Sequence, residues 1–167
     1  MSKKPFVSKE KLDEIAAQYA TPFYLYDEAA IRETARRVNK AFAWNQGFMK
    51  QILCFGDSNT YGYKPDKSGR FPWGVRWTSI LAEKFGRDVN VIEEGLCGRT
   101  TIFDDVFRVG RKGSESFPAI LESHTPLDLI IIMLGTNDCK TVYGATAGII
   151  GKGVETLLEQ VKKYSPD

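Results

Sequence analysis

A serine hydroxyl stands directly after a short apolar run, where Ile52-Leu53-Cys54-Phe55 leads into Gly56-Asp57-Ser58. Asn59-Thr60-Tyr61-Gly62 follows, so the serine is expected on a tight polar turn rather than in a packed face. Two later segments carry matching chemistry, Gly95-Leu96-Cys97-Gly98-Arg99-Thr100 and Leu134-Gly135-Thr136-Asn137-Asp138. Ester cleavage by covalent catalysis needs a nucleophile and hydrogen-bond donors aimed at the oxyanion of the tetrahedral intermediate. Ser58 can attack and can donate its own backbone N–H. Gly98 offers a backbone N–H that can be approached closely, and Asn137 offers a side-chain amide. The missing part is the base. The only histidine is His124, just before the third apolar run. It is expected at the N-terminal edge of the sheet, too far from Ser58 to take its proton.

The elements that must position these groups alternate along the chain. Gln51–Phe55 reads as a first strand, and Val75–Phe85 as a helix with Trp77, Ile80, Leu81 and Phe85 on one face. Asp88–Glu93 reads as a second strand, Phe117–Ser123 as a short helical stretch ended by Pro126, and Leu129–Leu134 as a strand buried on both faces. Val154–Tyr164 closes the series as a helix. This order predicts an α/β fold with a parallel, doubly wound sheet and right-handed crossovers. Each of the three motifs then sits at the C-terminal end of a strand, on one rim.

The combination of Gly-Asp-Ser, a later glycine and Gly-x-Asn-Asp resembles the SGNH (GDSL-type) hydrolases. Val91 to Thr101 and Leu127 to Asp138 are similar to the arylesterase/acyltransferase branch of that family. The resemblance runs over residues 49–167. It implies a flavodoxin-like three-layer sandwich, Ser58 as nucleophile, and Gly98 and Asn137 completing the oxyanion hole. It also implies hydrolysis of small aryl or acetyl esters through an acyl-serine, with no cofactor. The family's Asp-x-x-His block is absent, and the chain is therefore expected to be truncated after its third strand and impaired in activity. In the order 2-1-3 the third strand would be an exposed edge, open to self-association. Phe23–Tyr26 is the candidate substitute strand.

Residues 1–48 read differently. Leu12, Ile15, Ala16 and Tyr19 mark one helix face, Thr21-Pro22 ends it, and Phe23–Tyr26 is a short β-type run. Asp27 can cap a second helix carrying Ile31, Ala35, Val38 and Phe42. This helix–strand–helix fragment is too small to bury a core. Tyr19 to Asp27, continuing to Trp44, resembles the opening segment of diaminopimelate decarboxylase, a pyridoxal-phosphate enzyme. That makes the chain a chimera of a 1–48 fragment and a 49–167 hydrolase domain. The cofactor-binding strand ends of that enzyme type are missing, so Lys50 is not expected to hold a cofactor.

Composition narrows the partners. The chain has 167 residues, 43% of them apolar, and a formal charge of +2. Residues 1–48 hold eight Lys/Arg against six Asp/Glu and the remainder fifteen against fifteen, so no basic cluster suggests nucleic acid. No apolar run is long enough for a membrane span, and no secretory leader is visible. Three scattered cysteines fit reduced thiols in a cytoplasmic protein and make no metal site. A small-molecule ester is the expected partner. Around the rim, Asp57 and Asp138 suit capping of helix starts, with Asp57 also a candidate substrate contact. Trp73 is the candidate wall of a substrate pocket, and Trp77 suits packing. Cys97 suits a small buried hydrophobe, and Arg99 suits hydrogen bonding to loop carbonyls.

Overall fold

A computed structural model describes residues 6–19, 27–42 and 49–165. The chain divides into two units, Met1–Gly47 and Phe48–Asp167. In the first, Ser8 caps α1 (Lys9–Gln18) by accepting the Lys11 N–H on its hydroxyl at 3.2 Å. Asp27 does the same for α2 (Glu28–Phe42), accepting from Ala30 at 2.9 Å. No residue of α1 is buried. The expected strand Phe23–Tyr26 lies outside the described residues.

In the second unit three parallel strands form one sheet: β1 (Lys50–Gly56), β2 (Val89–Gly95) and β3 (Leu129–Met133), in the order β2-β1-β3. The central strand carries the core. Ile52, Leu53, Cys54 and Phe55 are all buried, because β1 is covered on both faces and flanked on both edges. Gly56 pairs with Gly95 on one side and Met133 on the other, so the three strands end level. Short α3 (Ser58–Tyr61) follows β1, and α4 (Trp77–Phe85), α5 (Gly113–His124) and α6 (Ala147–Tyr164) supply the outer layers.

Alternation along β1 sorts those layers. Leu53 and Phe55 pack with Phe117 and Leu121 of α5 and Leu157 of α6, and the Phe55 and Phe117 rings stack at 4.2 Å. Glu93, the β2 partner of Cys54, points to the opposite face and meets Thr78 of α4. The result is the three-layer α/β architecture read from the sequence. Phe117 has no exposed surface and stacks on the central strand. Phe117→Ala is expected to cost about 3–5 kcal/mol, measured as a shift in the urea midpoint at unchanged slope.

Three helix starts differ from the expectation. α5 begins at Gly113 rather than Phe117, although Pro118 lies within it. Proline removes the bond to the Ser114 carbonyl, and Gln160 of α6 satisfies that oxygen at 2.8 Å instead. α6 begins at Ala147 rather than Val154, with Thr146 accepting from Ile149 as its cap. Gly148, Gly151 and Gly153 weaken the local helical signal. Gly153 is needed there, because a Cβ would lie 2.1 Å from the Thr101 hydroxyl oxygen. In α4, which begins at Trp77 rather than Val75, the buried residues are Thr78 and Ser79, while Ile80 of the expected apolar face is exposed.

Candidate active site

Ser58 is the first residue of α3, and Asp57 before it is the cap, its Oδ1 accepting the Asn59 N–H at 2.9 Å. α3 lies tight against the strand ends because Gly95 leaves room for it. A Cβ at Gly95 would sit 2.1 Å from the Tyr61 nitrogen. The Ser58 hydroxyl, half-buried, has no hydrogen-bond partner among the described residues. As the first helical residue it also has an N–H with no acceptor in its own helix.

The second motif is tied to the first through Gly56. Its carbonyl accepts from the Leu96 N–H and from Arg99 Nη1, both at 3.1 Å. Arg99 also donates to the Glu94 carbonyl and lies over the Phe55 ring at 4.1 Å. Burial pulls its guanidinium down to about 10. Arg99 thus holds carbonyls, the role read for it from the sequence. Gly98 has φ +86°, a left-handed conformation that only glycine adopts freely. Its N–H has no acceptor among the described residues.

The third motif closes onto the second. Asn137 donates from Nδ2 to the Arg99 carbonyl at 3.0 Å, which brings the amide beside the Arg99–Thr100 peptide, next in the chain to Gly98, and its other hydrogen has no acceptor among the described residues. Asp138 has no exposed surface and accepts the Thr101 N–H at 2.9 Å together with the Thr101 hydroxyl. It pins the two loops to each other rather than capping a helix start.

Two substrate contacts read from the sequence need correction. Asp57 is 1% exposed, and burial pushes its carboxyl up against the bonds from Asn59. With no face for a substrate, it serves α3. Trp73 is 57% exposed but lines an open hollow of about 340 Å³ with Glu83, Arg87, Val89 and Val91. That hollow lies along the first half of β2, at the end opposite Ser58. His124, expected at the N-terminal edge of the sheet, instead reaches Glu94, the next-to-last residue of β2. Its Nε2 meets Glu94 Oε1 at 3.4 Å, and neither it nor any other described side chain is hydrogen-bonded to the Ser58 hydroxyl.

One network escaped the sequence reading. Glu93 accepts from Arg76 Nε at 3.1 Å and Nη2 at 2.8 Å, from Arg70 at 3.0 Å and from the Thr78 hydroxyl. Arg76 also holds the Phe71 carbonyl at 2.8 Å, so this cluster fastens the segment between α3 and α4. Burial pushes the Glu93 carboxyl up, but the bonds from Arg76 and Thr78 and the two arginine charges outweigh it, leaving the pKa below its ordinary value of 4.5. A carboxyl lowered on folding stabilises above its unfolded pKa and loses that contribution as pH falls through the folded value. The urea midpoint is therefore expected to drop as pH falls below about 4.5, and Glu93→Gln to flatten that part of the profile. At neutral pH Glu93→Gln is expected to cost about 3–5 kcal/mol, because Arg76 stays buried without its anion.

Among the described residues no three His, Cys, Asp or Glu side chains cluster to hold a metal, and no helix is long and apolar enough to cross a membrane. Cys54 is buried, and burial with Glu93 nearby pushes its thiol to about 12.

Residues 54–167 match the model of the GDSL-like lipase/acylhydrolase family. The native aryl esterase of M. smegmatis is 48% identical with TM-score 0.65, over 67% of this chain and 54% of that one. A carbohydrate acetylesterase family member from Sinorhizobium meliloti is 45% identical with TM-score 0.67, over 71% and 57%. AlinE4, an SGNH-hydrolase family esterase, is 24% identical with TM-score 0.54 and supports the fold alone. The chain spans a little over half the length of these structures. No curated protein sequence matches it. Nothing in these matches supports the decarboxylase resemblance of residues 1–48, which lie before the matched segment. On the family match and on the identity to both esterases, the chain belongs to the GDSL-like lipase/acylhydrolases, the SGNH hydrolase family.

Proposed function

We propose that the second unit carries the nucleophile and oxyanion hole of a serine esterase acting on small aryl or acetyl esters. The observation that carries this reading is the Ser58 hydroxyl, without a hydrogen bond among the described residues at the start of α3, on a rim whose Gly98 N–H and second Asn137 amide hydrogen likewise have no acceptor among them. Ser58 Oγ would bond to the ester carbonyl carbon as its proton passes to water or hydroxide. The negative charge gathered on the carbonyl oxygen would be met by the N–H groups of Ser58 and Gly98 and by the Asn137 amide. Collapse expels the alcohol with a proton from solvent, and water then cleaves the acyl-serine to the carboxylic acid.

The aryl and acetyl preference rests on the two esterases at 48% and 45% identity. A cytoplasmic setting follows from the reduced-thiol composition and is part of the same reading. The test is p-nitrophenyl acetate hydrolysis by this chain and by Ser58→Ala at elevated pH, where the serine ionises without a base. A serine-dependent excess is expected. Equal rates for the two proteins across the alkaline range would overturn the proposal.

A further inference from the structure

Three arginines surround the loop that carries Gly98, and none has a carboxylate within ion-pair distance among the described residues. Arg99 is spent on the Gly56 and Glu94 carbonyls. Arg111 donates from Nε to the Cys97 carbonyl at 3.1 Å and from Nη1 to the Val109 carbonyl at 2.7 Å. Arg108 is different, because its guanidinium makes no hydrogen bond among the described residues. It nevertheless lies against the loop: a Cβ built on Gly98 would be 3.2 Å from Arg108 Nη1. The nearby acids are taken, Asp104 by Lys112 at 3.1 Å and Asp105 by Lys140 at 2.9 Å. Glu94 and Asp57 also act on the loop, but from beyond ion-pair distance, so exposed Arg108 keeps a planar fork of donors without a partner among the described residues beside Gly98.

From this we infer that Arg108 is a specificity residue that receives a carboxylate carried by the ester substrate. The favoured substrates are then half-esters of dicarboxylic acids and similar esters with a free carboxylate a few atoms from the scissile carbonyl. A guanidinium pairs such a group through two parallel N–H···O bonds, which a neutral ester cannot use. The inference rests on the assignment of Gly98 to the oxyanion hole.

Cys97 reports on this place without requiring turnover, since its thiol lies in the same loop and feels the charges of Arg108 and Arg111. The experiment follows alkylation of Cys97 by iodoacetamide, read by peptide mass, with exposed Cys139 as internal reference. Monomethyl glutarate is expected to protect Cys97 at roughly tenfold lower concentration than neutral methyl butyrate. Arg108→Ala should abolish that difference and Arg108→Lys should retain part of it. Equal protection by the two esters, no protection by either, or an unchanged difference in Arg108→Ala would each overturn the inference. Charge-selective protection without any Ser58-dependent hydrolysis would instead count against the esterase proposal and leave the carboxylate site standing.

Discussion

At about pH 7, p-nitrophenyl acetate turnover by this chain is expected to run about 10⁴–10⁶-fold below that of a serine hydrolase with a complete triad. Ser58→Ala is expected to lower it no further at that pH, because nucleophile and base act as one unit and losing either costs nearly as much as losing both. The cause is visible in the structure. His124 faces Glu94, and no other histidine exists in the chain to take the Ser58 proton. The pH profile separates this from every ordinary triad. A histidine base gives an inflection near about pH 6.5, where the imidazole loses its proton. Without one, the serine-dependent rate should climb about tenfold per pH unit with no inflection, following the alkoxide fraction. The rate is measured as wild type minus Ser58→Ala from neutral to alkaline pH. A plateau above neutrality would mean that some other group serves Ser58.

Gly95→Ala is the second large effect expected. The added Cβ would fall 2.1 Å from the Tyr61 nitrogen and 2.5 Å from the Thr60 carbonyl carbon. Both are backbone atoms of α3, so no rotamer change relieves the clash, and α3 must move off the end of β2. Overpacking of this kind costs roughly 1–3 kcal/mol, and the displaced helix carries Ser58. The variant should lose stability in urea and also lose the serine-dependent rate at alkaline pH. Gly151→Ala is the matched control, since a Cβ there meets nothing within 4 Å and lies in α6. Alanine in a helix is favoured over glycine by up to about 1 kcal/mol, so Gly151→Ala should raise the urea midpoint. A Gly95→Ala protein as stable as wild type would show that α3 is not seated as described.

Much of the architecture was legible because burial leaves a local trace. Ile52 to Phe55 is continuous and apolar, which marks a strand covered on both faces, and the order of elements then implies a parallel sheet. The Ser58, Gly98 and Asn137 blocks follow strand ends, so their common rim follows from topology alone. Helix ends were less legible. Pro118 and the glycines of α6 argue locally against helix, and only the Gln160 bond and the Gly153 contact, made across elements, show why helix prevails.

The sequence by itself determined the fold class, the parallel direction of the strands and the identity of the groups available for acyl chemistry, because these depend on element order, periodicity and residue type. Tertiary structure alone decided which groups are spent and which are free. Asp138 is consumed by Thr101, 37 positions away, and the Asn137 amide meets the Arg99 carbonyl 38 positions away. Asp57 is closed off at the start of α3, Trp73 is turned to the other end of β2, and Arg108 beside Gly98 has no partner among the described residues. Such pairings follow from where the crossovers bring strand ends together, and no local pattern in the chain encodes that distance.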